Sequence, residues 1–517
     1  MELGVQNYLC RMFIRQKKNI TGSVSFQIID KSSGRYRVLK TIGSSTDKKE
    51  QDALLVKAQQ YLQNITGLQE FDFSLGDDVH FYNIVYKSIK RVQLLGPELL
   101  LGKLFNEIGY NKIKDELFKH LVITRLVYPV SKLKTIDYLL KYKGIVLEKD
   151  AVYRYLDKLH NNQIELVKQI SFLHTQQVLN NNLSIVFYDV TTLYFEAEDE
   201  DDLRKTGFSK DGKHQNPQIV LGLLVSQGGY PLDYEIFEGN KFEGHTMLPV
   251  IEAFKHKYLL QEMIVIADAG LMSNKNIHQL LEKNYEFIIG ARIKNEADEL
   301  KKKILSLRLN DGESVEINKN QDQRLIISYS NSRAKNDAHN RKRGLMKLEK
   351  SVISGNLNKK HINNKGYNKY LKLEGEVKIV IDYEKFKDDA KWDGLKGYLT
   401  NTILTKEEII SQYTQLWNIE KTFRISKTDL RIRPIYHYLK RRIEAHICIA
   451  FAACKVYKEL DRQLKIKNSL LSPEKTIDIL KTIYGITIEL PQSKQQKLML
   501  LDKTQEQKEI LKLFNLD

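Results

Sequence analysis

The run Ile185-Val186-Phe187-Tyr188-Asp189-Val190-Thr191-Thr192-Leu193-Tyr194-Phe195 constrains this chain more than any other stretch. Both of its alternating faces are apolar, so a strand over Ser184 to Phe195 needs cover on both sides. The following residues can supply it. Gln218 to Ser226 and Leu232 to Phe237 read as strands joined at Gly228-Gly229, and Thr246 to Tyr258 as a helix. Met263 to Ala267 is a short buried strand, Ser273 caps a helix running to Lys283, and Tyr285 to Gly290 is a further strand. The order β-β-β-α-β-α-β predicts an α/β domain, a mixed sheet flanked by helices.

The 517 residues are enough for three or four domains. Residues 1–95 read as β-rich, with strands at Ser23 to Ile29 and Arg35 to Ile42 about the hairpin signal Ser32-Ser33-Gly34, a helix over 48–63 and a strand near His80 to Val92. Residues 96–180 read as helical. Within them Ser131 to Tyr142 and Glu148 to His160 form two short helices about a Gly144 turn, with Lys132, Lys134, Lys141, Lys143, Arg154 and Lys158 on or beside them. Such a pair fits either a helix-turn-helix that binds DNA ends or an ordinary helical hairpin with solvated lysines. The α/β core occupies 181–295 and resumes at 400–460, around an insertion at 296–399 that is β-rich and basic in its middle. A helical segment over 461–517 ends the chain.

Charge narrows the function. Lys plus Arg number 82 against 65 Asp plus Glu, a formal +17, which points to a polyanionic partner, most simply nucleic acid. Asn331 to Lys350 concentrates the excess: Arg333, Lys335, Arg341, Lys342, Arg343, Lys347 and Lys350 face only Asp337 and Glu349. A nucleic-acid contact and a solvated loop both fit that imbalance. A hydrophobic content of 42% excludes global disorder. The longest apolar run, Ile447 to Cys454, is too short to span a bilayer, so no membrane protein is expected. Arg11, Arg15, Lys17 and Lys18 sit where a signal peptide needs apolar residues, and three cysteines cannot build a disulfide framework. A cytoplasmic protein is expected. His446, Cys448 and Cys454 match no common zinc spacing, and the two cysteines are expected to be buried and free.

Three acids stand out. A carboxylate at Asp189, inside a doubly covered strand, costs several kcal/mol unless it is paired or holds a metal. Asp268 ends the run Ile264-Val265-Ile266-Ala267, where a side chain can either face a crevice or cap the next turn. Thr405 and Glu408 have capping-box spacing, so a helix starts there. Along it Ile409, Tyr413, Leu416, Glu420, Phe423 and Lys427 recur every three or four residues, which puts Glu420 in an apolar stripe facing the protein. The competing placement is a surface Glu420 paired with Arg424. Three converging carboxylates suit two Mg²⁺ (or Mn²⁺) ions, hard cations that cleave phosphodiesters by activating the attacking oxygen and stabilising the leaving one. Lys427 could reach a phosphate, and Tyr413 could stack on a sugar or base or fill the core.

Three patches carry a resemblance: Tyr188-Asp189-Val190-Thr191-Thr192-Leu193-Tyr194-Phe195, Ala267-Asp268-Ala269-Gly270, and the helix from Tyr413. Together they make the chain similar to bacterial insertion-sequence transposases of the DDE class, in the insertion-sequence-four superfamily and its sixteen-thirty-four branch. That superfamily has a signature of Tyr, two residues, Arg, three residues, Glu, six residues, Lys. Tyr413, Glu420 and Lys427 match it, whereas Leu416 replaces the arginine, a role for which Arg424 and Arg431 are candidates. The likeness also takes in Phe237 to Thr246 and Arg431 to His446, spanning roughly 180–450.

The resemblance implies an RNase H-like core with Asp189, Asp268 and Glu420 as catalytic, metal-binding residues, and Asp189 beside Asp268 on neighbouring strands. It implies cut-and-paste transposition: water frees a 3′-hydroxyl at the element end, which then attacks target DNA. The expected partners are double-stranded DNA, as inverted-repeat ends and target, and a second copy of the chain in a synaptic dimer, at the bacterial nucleoid. The expected DNA contacts are Tyr413, Arg424, Lys427, Arg341, Lys342 and Arg343. Trp392 and Trp417 are expected in the core rather than under a flipped base. Two other classes fit the same residues: a different magnesium-dependent RNase H-like endonuclease, and an inactive transposase-derived DNA-binding protein.

Overall fold

The computed structural model describes residues 12–32, 34–66, 76–209, 212–271, 273–355, 357–363, 366–375 and 378–516. The hairpin signal at Ser33 and the N-terminal Arg11 lie outside the described residues. Two compact units divide the chain: Met1–Lys90 with Glu489–Gln496, and Arg91–Ile488 with Lys497–Asp517.

In the first unit β1 (Met12–Lys18), β2 (Val24–Asp30) and β3 (Arg37–Ser45) form an antiparallel meander. Helix α1 (Lys48–Thr66) lays Leu54, Leu55, Ala58, Tyr61 and Leu62 over Phe26 and Ile28, a stripe at helical spacing. The strand expected at His80 to Val92 is mostly helix: α2 (Gly76–Ser88) precedes a short strand β4 (Ile89–Leu94). Phe81, Ile84, Val85 and Ser88 fall three and four apart, and a short β-branched and aromatic run satisfies either period.

In the second unit helices come first: α3 (Gly96–Ile108), α4 (Glu116–Val127), α5 (Lys132–Tyr138), α6 (Lys149–Asn162) and α7 (Ile164–Val178). Ser131 caps α5 through the Lys134 amide, and Gly144 turns the chain at φ +63° before α6. The sheet strands follow in the expected order: β5 (Ile185–Tyr194), β6 (Gln218–Ser226), β7 (Pro231–Glu238), α8 (Met247–Lys257), β8 (Ile264–Ala267), α9 (Asn274–Glu282) and β9 (Glu286–Ala291).

The segment expected as a β-rich insertion alternates instead. It holds α10 (Asp298–Ser306), β10 (Ser314–Asn318), β11 (Arg324–Tyr329), α11 (Asn331–Ile353), β12 (Leu371–Glu374), β13 (Lys378–Ile381), α12 (Tyr383–Ala390) and β14 (Leu395–Thr400). The basic stretch is the helix α11, capped by Ser330, because Leu348 and Val352 give it an inner face against Tyr370, Leu371 and Phe386.

Eight strands make one mixed sheet in the order β10-β11-β14-β9-β8-β5-β6-β7. β5, β8 and β9 are parallel neighbours, β6 and β7 continue antiparallel on one side, and β14, β11 and β10 on the other. Beyond β14 come α13 (Lys406–Thr414), α14 (Trp417–Arg424), the long α15 (Lys440–Ile466) and α16 (Pro473–Leu480). Then β15 (Tyr484–Glu489) and β16 (Gln496–Leu500) interrupt the expected all-helical C-terminus before α17 (Gln505–Leu513). The β-branched Ile486-Thr487-Ile488 after Gly485 explains that departure.

Buried residues of α3 to α7, one face of the sheet and α15 share a single apolar core, while α8 and α9 cover the other face with Val186, Tyr188, Val265 and Phe287. Both faces of β5 are therefore covered. Each fully buried aliphatic or aromatic side chain adds about 1.5–3 kcal/mol to this packing. Cys448 and Cys454 are buried and free on α15. Among the described residues no helix is long and apolar enough to cross a membrane.

Candidate catalytic rim

The β5–β8 register fixes the first two acids. Tyr188 pairs with Ala267, so Asp189 and Asp268 are the next residues along two adjacent parallel strands. Asp189 is half-buried, and its Oδ1 accepts the Val190 amide at 2.7 Å. Asp268 is exposed where β8 leaves the sheet, and its Oδ1 accepts the Tyr413 hydroxyl at 3.2 Å.

Tyr413 is a positioning group, only 5% exposed. Its ring lies over Gly290 of β9, where a Cβ would come within 2.4 Å of the hydroxyl oxygen, so glycine is required for this approach. The ring also meets Tyr398 of β14 edge-on, with centroids 5.0 Å apart. Lys396 of β14 places its ammonium 4.5 Å from the Tyr413 centroid. Burial lowers the Lys396 pKa, with Arg333 adding to the effect, while Asp268 and Glu420 both oppose it. One ammonium therefore feels the second and third acids together. Lys396 gave no signal in the sequence, because which insertion strand returns beside β9 is a long-range fact, whereas Arg333 stood out only as one of the basic residues of Asn331 to Lys350.

The third acid departs from expectation. Thr405 and Glu408 form the capping box, but the helix does not run unbroken to Lys427. It stops at Thr414, restarts as α14, and ends in a wider π-type turn over Ile425–Asp429. The buried stripe is Ile409, Tyr413, Leu416, Ile419 and Phe423, so Ile419 takes the inward place and Glu420 is exposed. A period of 3.6 allows either choice after Leu416, and the more apolar residue wins. Glu420 makes no salt bridge with Arg424 or any other described residue. The Thr422 hydroxyl of α14 shares its proton between the Asn418 carbonyl of its own helix at 2.8 Å and the Gly229 carbonyl at 3.1 Å, with Gly229 in the left-handed region at φ +78°.

The expected DNA contacts divide. Arg341 is mostly buried in an ion pair with Asp393 and stacks over Phe386 at 5.4 Å. Lys342 and Arg343, on the outer side of α11, are exposed, as is Arg424. Lys427 is half-buried in the π-type turn. Trp392 packs beside Ile293 and Ile327, whereas Trp417 is 52% exposed, contrary to a core placement. Beside the rim a groove of about 430 Å³ is lined by Arg292, Lys294, Arg333, Lys369 and Lys396 among others. Asp389 neutralises Lys294 and Lys369 there, and Asp337 lies 3.6 Å from Arg333.

The donors have the right chemistry for hard divalent ions: three accessible or half-buried carboxylates, of which Asp268 and Glu420 are in no salt bridge. As the side chains stand, no group of three or more His, Cys, Asp or Glu among the described residues is gathered closely enough to hold a metal ion.

The family model described as a transposase DDE domain matches residues 181–454. No curated protein matches the chain. Three solved structures overlap it loosely. A piggyBac transposase synaptic complex with hairpin DNA has 11% identity over 75% of this chain and 79% of that one, with a TM-score of 0.36. The Mos1 transposase paired-end complex with left transposon end has 14% identity over 35% and 57%, TM-score 0.15, and the Mos1 mariner paired-end complex with Mn has 13% over 35% and 56%, TM-score 0.14. The family match spans both sheet aspartates, the insertion and Glu420. With over half of its residues inside it, the chain belongs to the transposase DDE domain family.

Proposed function

We propose that the protein is a cut-and-paste DNA transposase of a bacterial insertion sequence, in the insertion-sequence-four superfamily and its sixteen-thirty-four branch, acting as a dimer on double-stranded DNA at the nucleoid. The observation that carries this function is the β5–β8 pairing inside the matched segment, which sets Asp189 and Asp268 side by side at one rim of an RNase H-like strand order.

Asp189, Asp268 and Glu420 would hold two Mg²⁺ or Mn²⁺ ions, which when bound activate the attacking oxygen and stabilise the leaving one. The chain's own residues prepare the rim. The Tyr413 hydroxyl donates to one oxygen of Asp268 and so orients its carboxylate. Lys396 offers a positive charge between Asp268 and Glu420, where a phosphate enters. Thr422 and Gly229 fix the helix that carries Glu420. Lys342 and Arg343 of α11, together with Arg424, Lys427 and residues of 96–180, grip DNA farther out.

The test is strand cleavage and transfer on DNA carrying the element's ends. The wild type is expected to cut with Mg²⁺ or Mn²⁺, and Asp189→Asn to bind but not cut. Normal cutting by Asp189→Asn would remove the rim from the chemistry. Cutting without transfer would favour a plain endonuclease.

A further inference from the structure

A second charged site lies where α4, the start of α5, α6 and the loop 431–437 meet. It is a cavity of about 630 Å³. Arg125, Lys132, Lys134, Arg431 and Arg433 line it with His437 and His446, and among the described residues that line it none is acidic. Lys132 is 5% exposed, with no hydrogen bond or salt bridge to any described residue. Arg125 is equally buried and spends one nitrogen on the Leu430 and Arg431 carbonyls at 3.4 and 3.5 Å. His446 is bonded through Nε2 to the Ile432 carbonyl at 2.9 Å, so its buried Nδ1 is left without a partner. Arg125 and Lys132 depress the pKa of both histidines, after burial itself, which is what crowding of like charges does. Burial, with Arg125 beside it, pushes the Lys132 pKa well below its ordinary value, the cost of a buried ammonium that an anion in the cavity would offset.

The rim of the cavity has a different character. Tyr153, Tyr436, Pro129, Pro434 and Leu133 supply flat and apolar surface. A cationic floor under such a rim suits a phosphate joined to an organic group, and guanidinium groups match phosphate oxygens in pairs.

The loop ties this cavity to the rim of the sheet. Ile435 bridges to Phe195 and donates its amide to the Tyr194 carbonyl at 3.3 Å, at the far end of the strand that carries Asp189. Five residues of strand separate Asp189 from Tyr194, roughly 16 Å at about 3.3 Å each. That is the axial rise of about five base pairs of a DNA duplex.

We propose that this cavity is a phosphate-binding site whose occupant is a backbone phosphate of the DNA, a few nucleotides from the bond being cut. The phosphate site stands on the cavity alone, and only the choice of DNA as its source rests on the proposed function. It assigns to Lys132 and Arg125 an anchoring role that fixes the register of DNA on the rim.

The experiment uses the full chain and inorganic phosphate as the probe. Phosphate is expected to raise the wild-type melting midpoint by several degrees over chloride at matched ionic strength. Lys132→Met should lose most of that rise, yet melt no lower than wild type without phosphate, because it removes an uncompensated charge. On duplex DNA the same variant should bind about tenfold more weakly, with the log–log salt slope reduced by about one. Arg431→Gln, at the exposed mouth, carries the same test if Lys132→Met does not fold. No phosphate effect beyond chloride would overturn the site. A phosphate effect with an unchanged DNA salt slope would overturn DNA as the source and point to a free phosphorylated ligand. Failure of the wild type to bind any DNA, with phosphate protection intact, would reject the proposed function and the DNA source together.

Discussion

The rim and the cavity are mirror images in charge. At the rim, Asp268 and Glu420 reach solvent and are in no salt bridge with any described residue. In the cavity, Lys132 and Arg125 are buried, and no acid lines it among the described residues. Exposed acids cost little to leave unpaired, because water solvates them. Burying a cation is expensive, and burial with Arg125 beside it pushes the Lys132 pKa well below its ordinary value, so an anion there would relieve a cost that water relieves at the rim. The difference teaches where to look for chemistry and where to look for grip. A site that exchanges ions and reacting groups stays open, while a site that fixes position is walled in.

The contrast breaks first at Glu420. Glu420→Gln should lower strand cleavage by about 1,000-fold or more with DNA affinity unchanged, measured as single-turnover cutting of bound DNA. Equal cutting by variant and wild type would sink the third acid. Lys342→Ser with Arg343→Ser should do the opposite: the salt slope of DNA binding falls by about two while bound DNA is still cut. An unchanged slope would leave α11 a structural role only. Arg341 is left out of that pair because its charge is spent on Asp393.

A smaller effect sharpens the rim alone. Tyr413→Phe keeps the ring over Gly290 and removes only the hydrogen bond to Asp268, so cleavage should drop about 10-fold, in the range of groups that orient a metal ligand. A drop as deep as that of Glu420→Gln would make Tyr413 more than a positioning group. The smallest effect belongs to the cavity. His437 is pushed down to about 3 by burial, Lys132, Arg125 and Arg442, against an ordinary 6.5. Between those values the unfolded chain holds a proton that the folded chain does not. Its contribution to stability is full above about 6.5 and is lost as the pH falls toward 3. Denaturant midpoints should show this loss, reduced in His437→Phe and in saturating phosphate. A loss of equal size in both would place the acid sensitivity elsewhere.

Much of the sheet was legible because its signals are local. The apolar runs of β5 and β8, the Gly228-Gly229 turn, the Ser273 cap and the Thr405–Glu408 box each act within a few residues, and each stands where the spacing put it. Asp189 and Asp268 were legible as residue types and became neighbours once β5 and β8 were paired, whereas the inward place expected for Glu420 went to Ile419. What escaped depended on choices between equals. Ile419 and Glu420 both fit the period, and only packing chose. The stretch after Gly76 could be strand or helix until it had a partner. The cavity was hidden for a different reason. Lys132 and Lys134 look alike in sequence, yet one is buried and the other exposed, because Arg431 to His437 folds over the first from three hundred residues away.

The pairing of β11 with β14 has one more consequence. Tyr329 and Leu395 are opposite each other at the very end of that antiparallel ladder. Residues 330–394 therefore leave and re-enter the sheet at a single point, as a tight bend would, and they carry a small apolar core of their own around Leu348 and Tyr370. In form the lobe is a hairpin turn swollen into a fold. Pruning it to an Asn-Gly bend, or exchanging it for a lobe of different grip, would remove the β12–β13 pair but no pair of the eight-stranded sheet.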